Sequence, residues 1–425
     1  MNGGVRRYVA RRLRRRRRRA MSHFAYLWRR LMFGTTVIAV VGSLGKTTAK
    51  ECLAAILSTE GPTSKTPHNQ NDYFGVPGAI LALRPWHRYA VIEIGTSRPG
   101  QIEALSRLVK PNVAIVLAIA RTHTNVFPAL EDTSAEKERV LERMARGGTA
   151  VLNADDVHVR GMAKRCRKRV ITFGASEGCD VRASELRSVW PQRLSLSVRS
   201  GRLDVSISTR LVGTHWANSV MAAVAAAQAC GVSLERSARA LARVEPFAGR
   251  MQPVSLPCGA TLVRDEENGS PDTLAAMLKV LRESRARRRV LVISDVSDSK
   301  AKPRKRQAEL GRAAAELTDL AVFVSDSGHH AVRAAVDAGM DAAHCHCVPN
   351  LEKAAELLRA ELRAGDLVFL KGRMTDHLSR VLFAQFGPIG CWTTSCQIHR
   401  VCDLCSRLRP EFDLEQALSE GWRRA

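Results

Sequence analysis

No run of about 18 uncharged apolar residues, the length an ordinary membrane-spanning helix needs, occurs in this chain of 425 residues. Its apolar stretches are short, such as Val37 to Val41 and Asn112 to Ala120, and they read as strands. Aromatic residues are scarce, at 5%, and few of them interleave with the basic residues as a nucleic-acid stacking surface requires. No secretory leader is evident, and the 11 cysteines lie singly except near the C-terminus, so a reducing compartment is expected rather than a disulfide framework. Acidic residues are missing altogether before Glu51. What is present is basic: 66 Lys and Arg against 41 Asp and Glu, a formal net charge of +25. A hydrophobic fraction of 45% and a charged fraction of 25% exclude global disorder, and the length suffices for two or three cores.

The charge is concentrated at the start, in Arg6, Arg7, Arg11, Arg12 and Arg14 to Arg19. A block of like charges builds no core of its own and is expected to stay solvated, or to meet phosphate-rich surfaces, nucleic acid or anionic lipid. Behind it Phe24, Tyr26, Leu27, Trp28, Leu31, Met32 and Phe33, flanked by Arg29 and Arg30, have the composition of an interfacial helix. Peripheral contact with an anionic membrane surface is the preferred reading of residues 1–34. The alternatives are a solvated arm whose aromatic part packs on the following domain, and an Arg-rich, acid-poor transit peptide.

Val37 to Val41 reads as a buried strand that runs through Gly42-Ser43-Leu44-Gly45-Lys46-Thr47-Thr48 into a helix from Ala49 to Leu57. Phosphate oxygens need several N–H donors at close range. Glycines at 42 and 45 let the backbone wrap them, the helix N-terminus adds positive potential, Lys46 reaches the outer phosphates, and Thr47 supplies a hydroxyl for Mg²⁺. Val40 stands where the usual phosphate-loop pattern has its first glycine. Strands at Tyr89 to Ile94, Asn112 to Ala120, Thr149 to Leu152 and Val170 to Phe173 alternate with helical segments, the rhythm of a parallel sheet whose ligands gather at the strand C-termini. Glu93 and His123 follow two of those strands; each reads as a Mg²⁺ ligand or orienting group, or as an ordinary polar residue at a strand end.

Taken together, these residues resemble the Mur ligase family, over about residues 35 to 386. The family's phosphate loop is seen in Val41 to Thr48, and Asn69 to Pro77 echoes its Asn-rich segment. Val91 to Gly95 matches its V-I-E-x-G strand, and Arg98 to Ile102 follows where the family has H-P-G-E-I. Ala135-Glu136-Lys137-Glu138 is similar to the segment whose lysine is carbamylated by CO₂ and helps hold a second Mg²⁺; read by itself, Lys137 is a helix-surface lysine. Gly213 to Asn218 resembles the block whose asparagine, here Asn218, lies near adenine, although Trp216 replaces one asparagine and the spacing is a residue shorter. Phe247 to Met251, Asp265 to Thr273 and Leu367 to Arg373 are similar to the junction, the hinge-side loop and the V-L-x-K-G-S-R turn; Glu267 stands in place of the family's tyrosine.

The resemblance implies an α/β fold: a phosphate-loop central domain with a parallel sheet (residues 35–245), a smaller Rossmann-like α/β C-terminal domain (246–388), the basic arm before them and a Cys-rich tail (389–425) after. Members acting on UDP-muramoyl peptides carry a further N-terminal domain, so that domain is expected to be lacking here, the arm taking its place by contacting phosphate groups. The implied activity is ATP-dependent, ADP-forming joining of a small-molecule carboxylate to an amine through an acyl phosphate, of the D-alanyl-D-alanine-adding type. The implied site is Gly42, Ser43, Gly45, Lys46, Thr47, Thr48, Asn218, Arg250 and Asp265 at the nucleotide. Thr47, Glu93, His123 and carbamylated Lys137 are expected at Mg²⁺, with Lys46, Lys137, Glu93 and His123 as the catalytic set. Lys371 and Arg373 are placed at phosphate or incoming substrate.

Two regions are read without the family. Asp180 to Arg210 alternates apolar and polar residues, as antiparallel hairpins do. In the tail, Cys402-x-x-Cys405 has the spacing of a zinc knuckle that Cys391 and Cys396 would complete, with His399 as an alternative ligand. The tail is therefore read as a structural Zn²⁺ staple or as free thiols, whereas His344-Cys345-His346-Cys347 alternates along a strand and forms no cluster. A cytoplasmic location, peripheral to the inner membrane, is expected and a nucleic-acid partner is not. The competing readings are a nucleic-acid-associated phosphate-loop protein and a catalytically silent ligase-like scaffold.

Overall fold

The computed structural model describes residues 3–121, 124–297, 299, 301–393, 396 and 402–425, the side chains of residues 3–11 and 13–15 excepted. The chain divides into two compact units, one holding most of residues 1–244 and the other residues 245–425 with the short segments 187–194 and 210–214. In chain order the first contains α1 (Gly3–Leu31), β1 (Thr36–Val41), α2 (Lys46–Ser58), β2 (Thr63–Lys65), α3 (Gly75–Leu81), β3 (Tyr89–Glu93), α4 (Gln101–Val109), β4 (Val113–Val116) and α5 (Leu130–Glu142). There follow β5 (Thr149–Asn153), α6 (Val157–Arg165), β6 (Arg169–Gly174), β7 (Val181–Arg187), β8 (Ser195–Ser200), β9 (Leu203–Ser208), α7 (Ala217–Ala229) and α8 (Leu234–Leu241).

Its nine strands form one sheet in the order β2-β3-β1-β4-β5-β6-β7-β8-β9. The β-branched sequence of β1 suits a strand buried on both faces, and it lies between β3 and β4 with parallel register. That central place matters, because the chain leaves β1 toward β2 and later returns on the other side to β4, leaving a crevice at the C-terminal end of β1. The paired part of β4 is shorter than the predicted Asn112 to Ala120: it ends at Val116, and residues 118 and 120 turn their backbone to Ser43 instead. In the predicted hairpin region β8 and β9 pair antiparallel, and β7 pairs parallel with β6 on its other side.

The second half of α1, which carries the aromatic cluster, is docked on the following domain. Ala25 and Met32 enter the core beside residues of α3 and α4, the Trp28 indole donates to the Leu83 carbonyl at 3.0 Å, and Arg29 donates to the Val109 carbonyl at 2.9 Å. Phe24, Leu27, Leu31 and Phe33 remain exposed. Among the described residues no helix is long and apolar enough to cross a membrane.

The second unit contains β10 (Gln252–Ser255), β11 (Thr261–Asp265), α9 (Pro271–Glu283), β12 (Arg288–Ile293), α10 (Pro303–Leu317), β13 (Leu320–Val324) and α11 (His329–Asp337). After these come β14 (Cys345–Val348), α12 (Leu351–Glu361), β15 (Asp366–Lys371), α13 (Ser379–Phe383) and α14 (Leu414–Arg424). The sheet order is β10-β11-β15-β12-β13-β14, parallel apart from β10. The α/β class expected from the sequence is thus present in both units. Along β14 Cys345 is buried and Cys347 exposed, as strand alternation requires.

Candidate active site

The loop between β1 and α2 is held open by contacts that leave little room. Gly45 caps α2 in the left-handed region, at φ 77°, and a Cβ there would lie 2.5 Å from the Ser219 hydroxyl. At Gly42 a Cβ would lie 2.8 Å from Cβ of Leu117. Only glycine fits both places. Ser43 donates its N–H to the Ala118 carbonyl at 2.7 Å, and its hydroxyl bridges the carbonyl and N–H of Ala120, which fastens the loop to the chain leaving β4. Lys46 donates to the Ser43 carbonyl at 3.2 Å, so its ammonium lies over the loop.

Behind the loop stands a network that sequence reasoning found only in part. Glu93, at the end of β3 and 1% exposed, accepts from the Thr47 hydroxyl at 3.0 Å and from the Asn71 amide at 2.7 Å, and its own N–H donates to the Thr66 hydroxyl. Lys50, one turn after Lys46, is fully buried: its ammonium donates to the Thr66 and His68 carbonyls, pairs with Glu51 at 3.0 Å and lies 3.8 Å from Glu93. Neither Lys50 nor Thr66 carries a local signal, because their roles arise from the pairing of β2 with β3. Asn71 falls within the Asn-rich segment already singled out. Thr48 is also buried, and its hydroxyl has no hydrogen-bond partner among the described residues.

Lys137 corrects its local reading as a surface lysine. It lies on the inner side of α5, 3% exposed, while Glu136 turns to accept from the N–H groups of Gly100 and Ile102 at 2.8 Å each. Burial first, and the Lys46 charge second, pull the Lys137 ammonium down to about 7 against the opposing pull of Glu136. At pH 7 a lysine so placed is about half neutral amine, the form that acts as a nucleophile. His123 lies outside the described residues. Ser219, missed by the sequence reading, anchors α7 to the loop by donating to the Gly45 carbonyl at 3.1 Å; its neighbour Asn218 is exposed.

In the second unit Asp265, at the end of β11, pairs with the Lys371 ammonium at the end of β15 and accepts from the Met251 N–H at 3.3 Å. Arg250 faces Glu267 at 3.6 Å, which occupies the tyrosine position of the resembled motif. Arg373 is held by Asp376 at 2.9 Å and lies 3.7 Å from Asp295.

Among the described residues no three His, Cys, Asp or Glu side chains, Cys391, Cys396, Cys402 and Cys405 included, are grouped to hold a metal ion, and His399 lies outside the described residues. Cys391 contacts the Thr393 hydroxyl, and Cys402 lies 3.3 Å from Nδ1 of buried His377. Ile389, Cys402, Leu408 and Leu414 enter the core of the second unit and so anchor the tail to it. Asp403 also grips the fully buried Arg264 through two hydrogen bonds, at 2.6 and 3.0 Å, while Glu266 holds its other side.

Comparison with known proteins matches this geometry to two family models: the Mur ligase middle domain over residues 40–227, and the Mur ligase glutamate ligase domain over residues 249–374. The chain is 29% identical, over 381 residues, to the UDP-N-acetylmuramoyl-tripeptide--D-alanyl-D-alanine ligase of Mycobacterium tuberculosis, covering 84% of this chain and 74% of the relative. It is 30% identical over 290 residues to the Escherichia coli enzyme of that name, covering 68% of this chain and 64% of the relative. Among solved structures, MurF from Acinetobacter baumannii superposes with a TM-score of 0.79 at 27% identity, covering 86% of this chain and 79% of that one.

Proposed function

The chain belongs to the Mur ligase family, and from that premise we propose that it joins D-alanyl-D-alanine to a UDP-muramoyl tripeptide in peptidoglycan synthesis, forming ADP and phosphate. The observation that carries the reading is the meeting of the glycine-walled loop with Thr47 and Glu93 in the β1 crevice. ATP is the phosphoryl donor. Its γ-phosphoryl group passes to the carboxylate, giving an acyl phosphate; the amine attacks the acyl carbon, phosphate leaves, and the amine loses a proton as the amide forms. Negative charge on the moving phosphoryl group is met by the loop N–H groups and by Lys46, so side chains stabilise and position rather than react.

The residues present fit a nucleotide with Mg²⁺: two glycines leave space a Cβ would fill, the Thr48 hydroxyl lacks a partner among the described residues, and a hydroxyl–carboxylate pair stands behind them. Thr47, Glu93 and His123 are the residues proposed to hold the ion, and carbamylated Lys137 to assist a second. Bound Mg²⁺ supplies neutralisation of phosphate charge. Glu93 is oriented for this by Asn71, Thr66 and Lys50, so the carboxylate is fixed before any ligand arrives. Asn218 is assigned to adenine, and Arg250 and Asp265 to the nucleotide from the C-terminal domain, taken as residues 246–388. The reaction belongs in the cytoplasm, where ATP is available, with α1 bringing the enzyme to the inner membrane surface.

The test is phosphate release from MgATP by the purified chain, with UDP-muramoyl tripeptide and D-alanyl-D-alanine added singly and together, beside Lys46→Ala. Release that needs both substrates and disappears in the variant supports the proposal. ATP binding with no release under any combination refutes it and leaves the scaffold reading.

A further inference from the structure

Helix α1 has two unlike sides. Ala25, Trp28, Arg29 and Met32 are turned to the protein, while Phe24, Leu27 and Leu31, spaced three and four apart and so on one face, are 62%, 47% and 63% exposed. Phe33, just past the helix end, is 91% exposed. Upstream on the same helix Arg12, Arg16, Arg17 and Arg19 are exposed, and the first 34 residues hold twelve arginines and no acid. At its C-terminal end α1 borders a cavity of about 520 Å³ where Arg30, Lys110 and Arg143 stand beside apolar Phe33 and Met144, with Glu142 as the acid in the wall. Arg143 is already engaged by Glu103 and Arg30 by the Tyr26 hydroxyl; Lys110 and Arg107, the latter also paired with Glu103, line the same cavity with exposed side chains.

We infer that this face of α1 seats the protein on an anionic lipid bilayer, with the apolar stripe at the level of the acyl chains, the arginines among the headgroups, and a lipid phosphate in the cavity at the helix end. Charge complementarity fixes the partner's sign, and the stripe fixes its kind. A nucleic acid would be held by the arginines but would leave Leu27 and Leu31 in water, whereas a bilayer interface covers both. From Arg12 to Leu31 the helix runs about 29 Å, and its arginines make it too polar to cross a bilayer, so it lies in the interface. The inference is independent of the ligase chemistry, because it uses no residue of the β1 crevice.

The experiment is flotation of the full chain with vesicles of phosphatidylcholine, alone or mixed with phosphatidylglycerol. The wild type is expected to float with the mixed vesicles and not with phosphatidylcholine alone. Phe24→Ser, Leu27→Ser and Leu31→Ser combined should lower partitioning at least about tenfold with unchanged thermal melting, since all three side chains are exposed. Lys110→Glu should weaken it further. On the wild type itself, a fraction should stay bound at high salt, because the apolar contact is unscreened. Equal flotation of the triple variant and the wild type, or complete release by salt, would overturn the inference in favour of a purely electrostatic arm. Retention on RNA without flotation would overturn it in favour of a nucleic-acid partner.

Discussion

Substituting Lys137 by Met removes one buried amine, and the pH dependence of stability shows what state that amine is in. Burial and the neighbouring Lys46 hold its ammonium at about 7, against 10.5 for an exposed lysine. The folded value lies below the unfolded one, so between those two values the unfolded chain holds a proton the folded chain has released. Stability therefore rises with pH through that window and is lowest below it, with a slope of at most about 1.4 kcal/mol per pH unit for one proton. Lys137→Met, similar in volume and uncharged, lacks this slope. In urea unfolding with CO₂ excluded, the wild type should gain stability relative to the variant between about pH 7 and 9, and the difference should level off below about pH 6. At pH 7 about half the amine is neutral, roughly a thousandfold more than in an exposed lysine, which is the condition for carbamylation. Added ¹³C-bicarbonate should then give a carbamate carbon resonance in the wild type that is missing from the variant. A wild-type-to-variant difference that does not change with pH would refute the reasoning, because Lys137 would then be protonated in the fold and unable to capture CO₂.

Gly45→Ala combines a left-handed backbone with a contact to Ser219, and it should weaken MgATP binding about tenfold by calorimetry; adding Ser219→Gly should restore part of the loss. Glu93→Gln keeps the shape but removes the charge behind Thr47, and phosphate release should fall about a hundredfold with a higher Mg²⁺ requirement, read from a Mg²⁺ titration. Asp403→Ala strips one of two carboxylates from fully buried Arg264 and should cost about 3 kcal/mol in thermal or urea unfolding; a loss below about 1 kcal/mol would show that Glu266 suffices.

The parts of this molecule that were legible in its sequence are those set by neighbours along the chain. A β-branched strand, two glycines, Lys-Thr and a helix follow one another between Val37 and Leu57, so the loop and α2 could be read directly, and Glu93 could be placed because it closes an apolar strand. Lys50 and Lys137 were not readable in the same way. Each sits on a helix whose local sequence looks solvent-facing, and each is buried by tertiary packing: Lys50 by the residues just after β2, and Lys137 by the packing of α5 against the rest of the first unit. Ser219 lies on the far side of 174 residues from the loop it supports. In the tail the thiol spacing spoke only of a metal, whereas the anchoring of Asp403, Leu408 and Leu414 to the second unit depends on Arg264 and a core far from them in the chain. Alternation in residues 180–210 pointed to the antiparallel β8–β9 hairpin but carried no sign of the parallel pairing of β7 with β6.

The central claim, phosphoryl transfer from ATP to a carboxylate in the β1 crevice, is tested most directly by isotope transfer. UDP-muramoyl tripeptide labelled with ¹⁸O in its reacting carboxylate is incubated with MgATP and D-alanyl-D-alanine, and the released phosphate is weighed by mass spectrometry. An acyl phosphate predicts one ¹⁸O in each phosphate, in step with amide formation and lost in Lys46→Ala. Unlabelled phosphate, or phosphate formed without amide, would contradict the account.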